Sequence, residues 1–407
     1  MTGVQTCALP ILNFPGVILG DPDVMAKLKL ARKAGKPVDG HAPGVTGADA
    51  EKYVSAGIST DHECFTLEEA REKIALGMKI LLREGSAAKN FETLWPLIDE
   101  YPEMVMLCSD DKHPNDLLEG HINLEVKRAL HLDLDPMNVL RCCTLNPVRH
   151  YGLDTGLLQP GDSADFIVVE ELRSFKVLQT CIKGQKVAEA GESLILSTEI
   201  QEVNLFNARR IAPEDLQVPA QEGNLRVIEA MDGQLITTEK LVKPRIMDGF
   251  VTADPENDVV KLVVMNRYQS APPAIGFISN TGMKRGAIAS CVAHDSHNIV
   301  AAGTDDVSIA EAINLIVDHK GGIALVDGNV KEILPLPVAG IMTGSDGFSV
   351  ASHYDRIDKL ARRTGINLSA PYMTLSFMAL LVIPELKLSD KGLFDGNSFS
   401  FTSLFRK

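Results

Sequence analysis

With 407 residues, 45% of them hydrophobic, and a formal net charge of −14, the chain is long enough for two or three domains. It is too acidic to offer the basic face that nucleic-acid phosphates or an anionic membrane require, and no apolar run reaches the roughly 20 residues that span a bilayer. Seven scattered cysteines, an odd number without a CxxC pair, point to reduced thiols and a cytoplasmic location.

Residues 1–11 fit no pattern that follows. They read as a sequencing scar outside the fold, and the natural chain is expected to begin earlier. Residues 12–150 alternate between strand and helix. Asp21 to Ala34 reads as a helix, with Asp21 as cap and Pro22 in its first turn. Lys36 to His41 is a strand, Gly47 to Ala56 a helix and Ile58 to His62 a strand. Thr66 to Leu76 is a helix opened by a Thr66/Glu69 capping box. Met78 to Arg83 and Met104 to Ser109 are strands, separated by a helix over Asn90 to Tyr101. Helices follow over Asn115 to Leu130 and Pro136 to Cys143. Such alternation implies a parallel sheet, so the fold class is α/β. Four strands cannot close an eight-stranded barrel, and the expectation is the C-terminal half of a (β/α)8 barrel. Residues 151–195 read as a small β appendage. Residues 196–407 read as an α+β domain, with strands such as Leu225 to Ala230, Gln234 to Thr238 and Val259 to Met265.

Three short polar words close apolar runs: Gly40-His41-Ala42-Pro43-Gly44, Thr60-Asp61-His62-Glu63 and Ser109-Asp110-Asp111. Barrels build their sites from the C-terminal ends of strands. His41 and His62 lie 21 residues apart, one β/α unit, and His62 and Asp110 lie 48 apart, about two units. Two imidazoles and a carboxylate suit Zn, Fe or Mn, so His41, His62 and Asp110 are the expected metal ligands. An aspartate beside an activated water can take its proton and return it to a leaving group, which is the role expected of Asp110. Glu63 is a candidate to protonate a substrate ring nitrogen, or to hold the site by hydrogen bonds. A second polar word, His294-Asp295-Ser296-His297-Asn298, interrupts a would-be hairpin. A turn accounts for its Asp, Ser and Asn better than for its two histidines, so His294, Asp295 and His297 are kept as possible substrate-loop residues. No P-loop, G-x-S-x-G elbow or P-C-x-x-C zinc word occurs in the sequence.

Together with Asn13-Phe14-Pro15-Gly16, Gly161-Asp162-Ser163-Ala164-Asp165-Phe166, Lys284-Arg285-Gly286-Ala287 and the run from Met373 to Gly392, these words resemble the bacterial adenine deaminases of the amidohydrolase superfamily. The resemblance covers nearly everything after Ile11. It implies a metal-dependent amidohydrolase barrel that converts adenine and water to hypoxanthine and ammonia. It also implies a two-metal centre of manganese or iron rather than zinc. By position, His41 and His62 resemble the strand-five and strand-six histidine ligands, and Asp110 the strand-eight aspartate that binds metal and shuttles protons. Attack by metal hydroxide on C6 would precede loss of ammonia. The HxH word of the family's first strand does not occur in this sequence, so the chain as written is expected to bind metal weakly and turn over little adenine. The partner expected is the small-molecule substrate, with no nucleic acid or membrane, in a homo-oligomer. A dihydroorotase-like hydrolase of cyclic amides and a non-catalytic purine-binding homologue are the competing readings.

Overall fold

The structure, a computed structural model, describes residues 8–11, 13–198 and 200–407. It divides into two compact units. The first takes the chain up to Gly85, then Lys89–Lys112 and Glu119–Thr198; the second takes Ser86–Ala88, His113–Leu118 and the chain beyond Thr198.

The first unit is built on five short parallel strands met in chain order: β1 (Ala8–Ile11), β2 (Val38–Gly40), β3 (Thr60–Asp61), β4 (Lys79–Arg83) and β5 (Val105–Cys108). β1 pairs with β2, and β3, β4 and β5 pair in register, with Leu82 opposite Leu107. Ser59 N donates to Val38 O at 2.9 Å, which links β2 to β3. The four strands expected from the sequence are present. Ala8–Ile11, set outside the fold by the sequence reading, pairs with β2 through its backbone. Helices α1 (Phe14–Leu19), α2 (Pro22–Lys33), α3 (Gly47–Ser55) and α4 (Leu67–Ala75) fill the connections. Asp21 caps α2 by accepting from Asp23 N and Val24 N at 3.0 Å. β4 and β5 are buried on both faces, which is why they read as unbroken apolar runs.

Two expected helices are each broken. Asn90 to Tyr101 becomes Phe91–Leu94 and Leu97–Glu100, because Pro96 has no N–H to continue the hydrogen-bond ladder, although Trp95 and Pro96 keep helical dihedrals. Asn115 to Leu130 becomes Pro114–Glu119 and Ile122–His131, parted at Gly120, whose φ is +146°. The appendage is a four-stranded sheet of β6 (Phe166–Val169), β7 (Val177–Ile182), β8 (Gln185–Glu189) and β9 (Glu192–Ser193).

The second unit centres on a nine-stranded sheet. Its middle strand, Val259–Met265, is buried throughout. Val260, Leu262 and Val264 pack with Ile357 and Phe377, whereas Val263 and Met265 pack with Ile309 and Ile313. Alternate residues thus serve opposite faces, and helices cover both. The sequence reading missed the strands Ala274–Ser279 and Val330–Pro335 and placed Thr237–Val242 too early. Pro371 to Phe377 is a fully buried helix that starts at its proline. None of the six described cysteines is in a disulfide, and Cys64 in the first unit and Cys291 in the second are fully buried.

A buried ion cluster braces the first unit. Lys73 Nζ, on the inner face of α4, lies 2.6 Å from Asp61 Oδ2, 2.7 Å from Glu69 Oε1 and 2.7 Å from Ala42 O. Glu69 is therefore drawn inward. Thr66 Oγ1 accepts from Glu69 N at 3.2 Å, but the Glu69 carboxylate takes the amides of Phe65 and Gly44 rather than closing the capping box. Burial alone would raise the Asp61 carboxyl; the Lys73 ammonium, together with His62 and the Glu63 amide, outweighs it and holds Asp61 at about 2, below the ordinary 3.8. Glu125, on Ile122–His131, is the opposite case. It is buried, neither carboxylate oxygen finds a hydrogen-bond partner among the described residues, and burial pushes its carboxyl up to about 9.

Lys73→Met leaves Asp61 buried and uncompensated, so it should cost about 3–5 kcal/mol in denaturant unfolding. In the wild type, the Asp61 contribution is present above its unfolded value of 3.8 and should fade as the pH drops toward 2, a slope that Asp61→Asn removes. Glu125 carries a proton in the folded state that the unfolded state gives up at 4.5, so stability should fall as the pH rises from 4.5 toward 9. Glu125→Met should abolish that slope and raise the melting temperature near neutrality.

Candidate active site

β2 and β3 end side by side, and each hands its next residues to one focus. Gly40, the last residue of β2, has no room for a side chain: a Cβ there would lie 2.2 Å from Thr60 O. His41 follows, almost fully buried, with its backbone N–H donating to Tyr53 Oη at 3.0 Å. Asp61 Oδ1 accepts from Ala42 N at 3.2 Å and from Glu63 N at 3.0 Å, so one carboxylate fixes the backbone beside both histidines. Asn90 Nδ2 donates to His62 O at 3.0 Å while Asn90 Oδ1 accepts from Arg83 N at 2.6 Å, which ties the end of β4 to the same place. Asp110, just beyond β5, has a left-handed backbone (φ 54°), a conformation short polar side chains tolerate best.

These supports bring His41, His62 and Glu63 together. His41 Nδ1 lies 3.3 Å from His62 Nε2 and 3.2 Å from Glu63 Oε1, and His62 Nε2 lies 3.4 Å from the same oxygen. Asp110 Oδ2 stands slightly farther off, 3.8 Å from His62 Nε2. Ligands about 2 Å from one tetrahedral ion are separated by about 3.3 Å, so the donor spacing fits a divalent cation held by both imidazoles and a carboxylate. The carboxylate nearest the imidazoles is Glu63, where the sequence reading had chosen Asp110. Burial lowers the basicity of His62, which favours the neutral imidazole that ligates metals, although Glu63 opposes the shift. Burial raises the Glu63 carboxyl despite the neighbouring Arg83.

Arg83 is the residue the sequence reading passed over. It closes β4 and is buried, and its Nη1 donates to Asp110 Oδ2 at 2.8 Å and to Glu63 Oε1. The signal was present, since Arg83 also ends an apolar run, but a cation is not sought among metal ligands. A second group of donors, Asp61, Cys64 and Glu69, has the spacing of a metal site; the Lys73 ammonium already sits among its carboxylates. His294, Asp295 and His297 belong to the second unit. They lie in the loop between the paired strands Ala287–Ser290 and Ile299–Gly303. There His294 Nδ1 is 3.3 Å from Ser376 Oγ and its ring meets Phe377 edge-on, while His297 N donates to Ala293 O at 2.7 Å.

Comparison with known proteins places both regions. Residues 13–187 match the amidohydrolase family, and residues 234–400 match the adenine deaminase C-terminal domain. The adenine deaminase of Methanosarcina mazei is 52% identical over 97% of this chain and 74% of its own length. That of Sulfurovum sp. is 52% identical over 98% and 73%, and that of Borreliella burgdorferi 44% identical over 96% and 72%. With the amidohydrolase words, the clustered imidazoles and carboxylates and relatives of this closeness all in agreement, the chain belongs to the adenine deaminase family of amidohydrolases.

Proposed function

We propose that this protein hydrolyses adenine to hypoxanthine and ammonia, and that its first unit carries the reacting groups. The observation that carries this reading is the convergence of His41, His62, Glu63 and Asp110 from the ends of three strands. The amidohydrolase family implies a divalent metal cofactor, and the donor spacing at this focus fits one. His41, His62 and Asp110 would hold it. When bound, such an ion lowers the pKa of a water and so supplies a nucleophile near neutral pH. Nitrogen and oxygen donors of this kind suit manganese or ferrous iron. The two-ion centre implied by the family resemblance would draw on donors beyond these four side chains.

The side chains divide the proton work. Glu63, whose buried carboxyl is raised by desolvation, hands a proton to a purine ring nitrogen. Asp110 is more exposed, stays open to water, takes the proton that water loses, and delivers it to the departing amine. Arg83 holds both carboxylates in place by hydrogen bonds. The net charge of −14 favours a small neutral substrate as partner over nucleic-acid phosphates or an anionic lipid surface; among the described residues no helix is long and apolar enough to cross a membrane. We place it in the cytoplasm as a homo-oligomer.

Ammonia release from adenine in the presence of Mn²⁺ measures the activity. Asp110→Asn should lower it by ~10²–10⁴-fold with the circular dichroism unchanged; persistence of activity would remove Asp110 from the mechanism. Conversion of dihydroorotate in place of adenine would overturn the assignment of substrate.

A further inference from the structure

Arg83 faces both carboxylates of the site at once. Nη1 donates to Asp110 Oδ2 at 2.8 Å and to Glu63 Oε1, and Nη2 donates to Glu63 Oε2 at 2.9 Å. Its backbone is pinned too, since Arg83 N donates to Asn90 Oδ1 and Arg83 O accepts from Asn90 N at 3.0 Å. A guanidinium stays charged at every pH at which the protein is folded. The oxygens it holds, Glu63 Oε1 and Asp110 Oδ2, are also those that lie 3.4 and 3.8 Å from His62 Nε2. They are therefore the oxygens a divalent ion between the imidazoles would take. Two cations this close repel in a partly buried site, and each lone pair serves one of them at full strength.

We propose that Arg83 is an internal counter-cation that competes with the metal for the Asp110 and Glu63 carboxylates, and so sets how tightly the site holds a divalent ion. The inference rests on reading His41, His62 and a carboxylate as the metal site. Arg83 keeps the two acids neutralised and ordered before metal arrives. Loading then requires the guanidinium to yield Asp110 Oδ2. A residue that merely orients Asp110 toward the ion would have the opposite effect, because its loss would weaken metal binding.

The sign of the change decides between them. Mn²⁺ alone is titrated calorimetrically into the metal-stripped chain and into Arg83→Met, Arg83→Lys and His41→Ala. Arg83→Met should bind at least about tenfold more tightly than the wild type, through the loss of a neighbouring positive charge. Arg83→Lys, whose ammonium reaches one carboxylate at a time, should be intermediate, about threefold tighter. Unchanged or weakened binding in Arg83→Met overturns the proposal. Should Arg83→Met fail to fold by circular dichroism, Arg83→Lys decides on the same criterion. His41→Ala separates the two layers of the argument. If it loses Mn²⁺ while Arg83→Met matches the wild type, the metal site stands and the competition falls. If it binds as well as the wild type, the metal-site reading itself falls.

Discussion

The ion pair between Asp61 and Lys73 underlies the geometry of the first unit. Both side chains are buried, and a buried pair is seldom a large net source of stability, because taking two charges out of water costs nearly what their attraction returns. Its value here is positional. Lys73 also reaches Ala42 O, and Asp61 also accepts from the amides of Ala42 and Glu63. One pair of charges thus fixes the backbone after β2 and the backbone after β3, which are the two places where the imidazoles must start. Hydrogen bonds to ionised groups are short and directional, and an apolar replacement would fill the space without aiming anything.

Around that anchor the site is held by a small set of contacts that repeat the same plan. Gly40 lets β2 lie close against Thr60 of β3. Asn90 joins the end of β4 to the carbonyl of His62. Each contact links the end of one strand to the end of its neighbour. A rigid rim of this kind lets widely separated residues meet to within a few tenths of an ångström without belonging to any one loop.

Much of this was legible in the sequence, for physical reasons that differ by residue. His41, His62, Glu63 and Asp110 stand out because polar residues at the end of a buried strand need a purpose. β4 and β5 were clear because strands covered on both faces are apolar throughout. Lys73 was not legible: a lysine in a helix ordinarily points to water, and only the fold shows that its face of α4 is buried. The choice between Glu63 and Asp110 as the acid nearest the imidazoles depends on side-chain direction, which one-dimensional spacing does not encode. The broken helices were foreseeable at Pro96 and Gly120, where residue chemistry outweighs a persisting apolar pattern.

Two of the sealed thiols, one in each unit, have a use of their own. Cys64 sits against Asp61 at the heart of the first unit, and Cys291 is enclosed by backbone groups of Gly322 and Gly340 in the second. Burial holds both far from the reactive thiolate, so an alkylating reagent meets them only when the surrounding structure opens. Each unit therefore carries its own clock. The rate at which either sulfur becomes modifiable reports the breathing of that half of the molecule, with no label added and no ligand required.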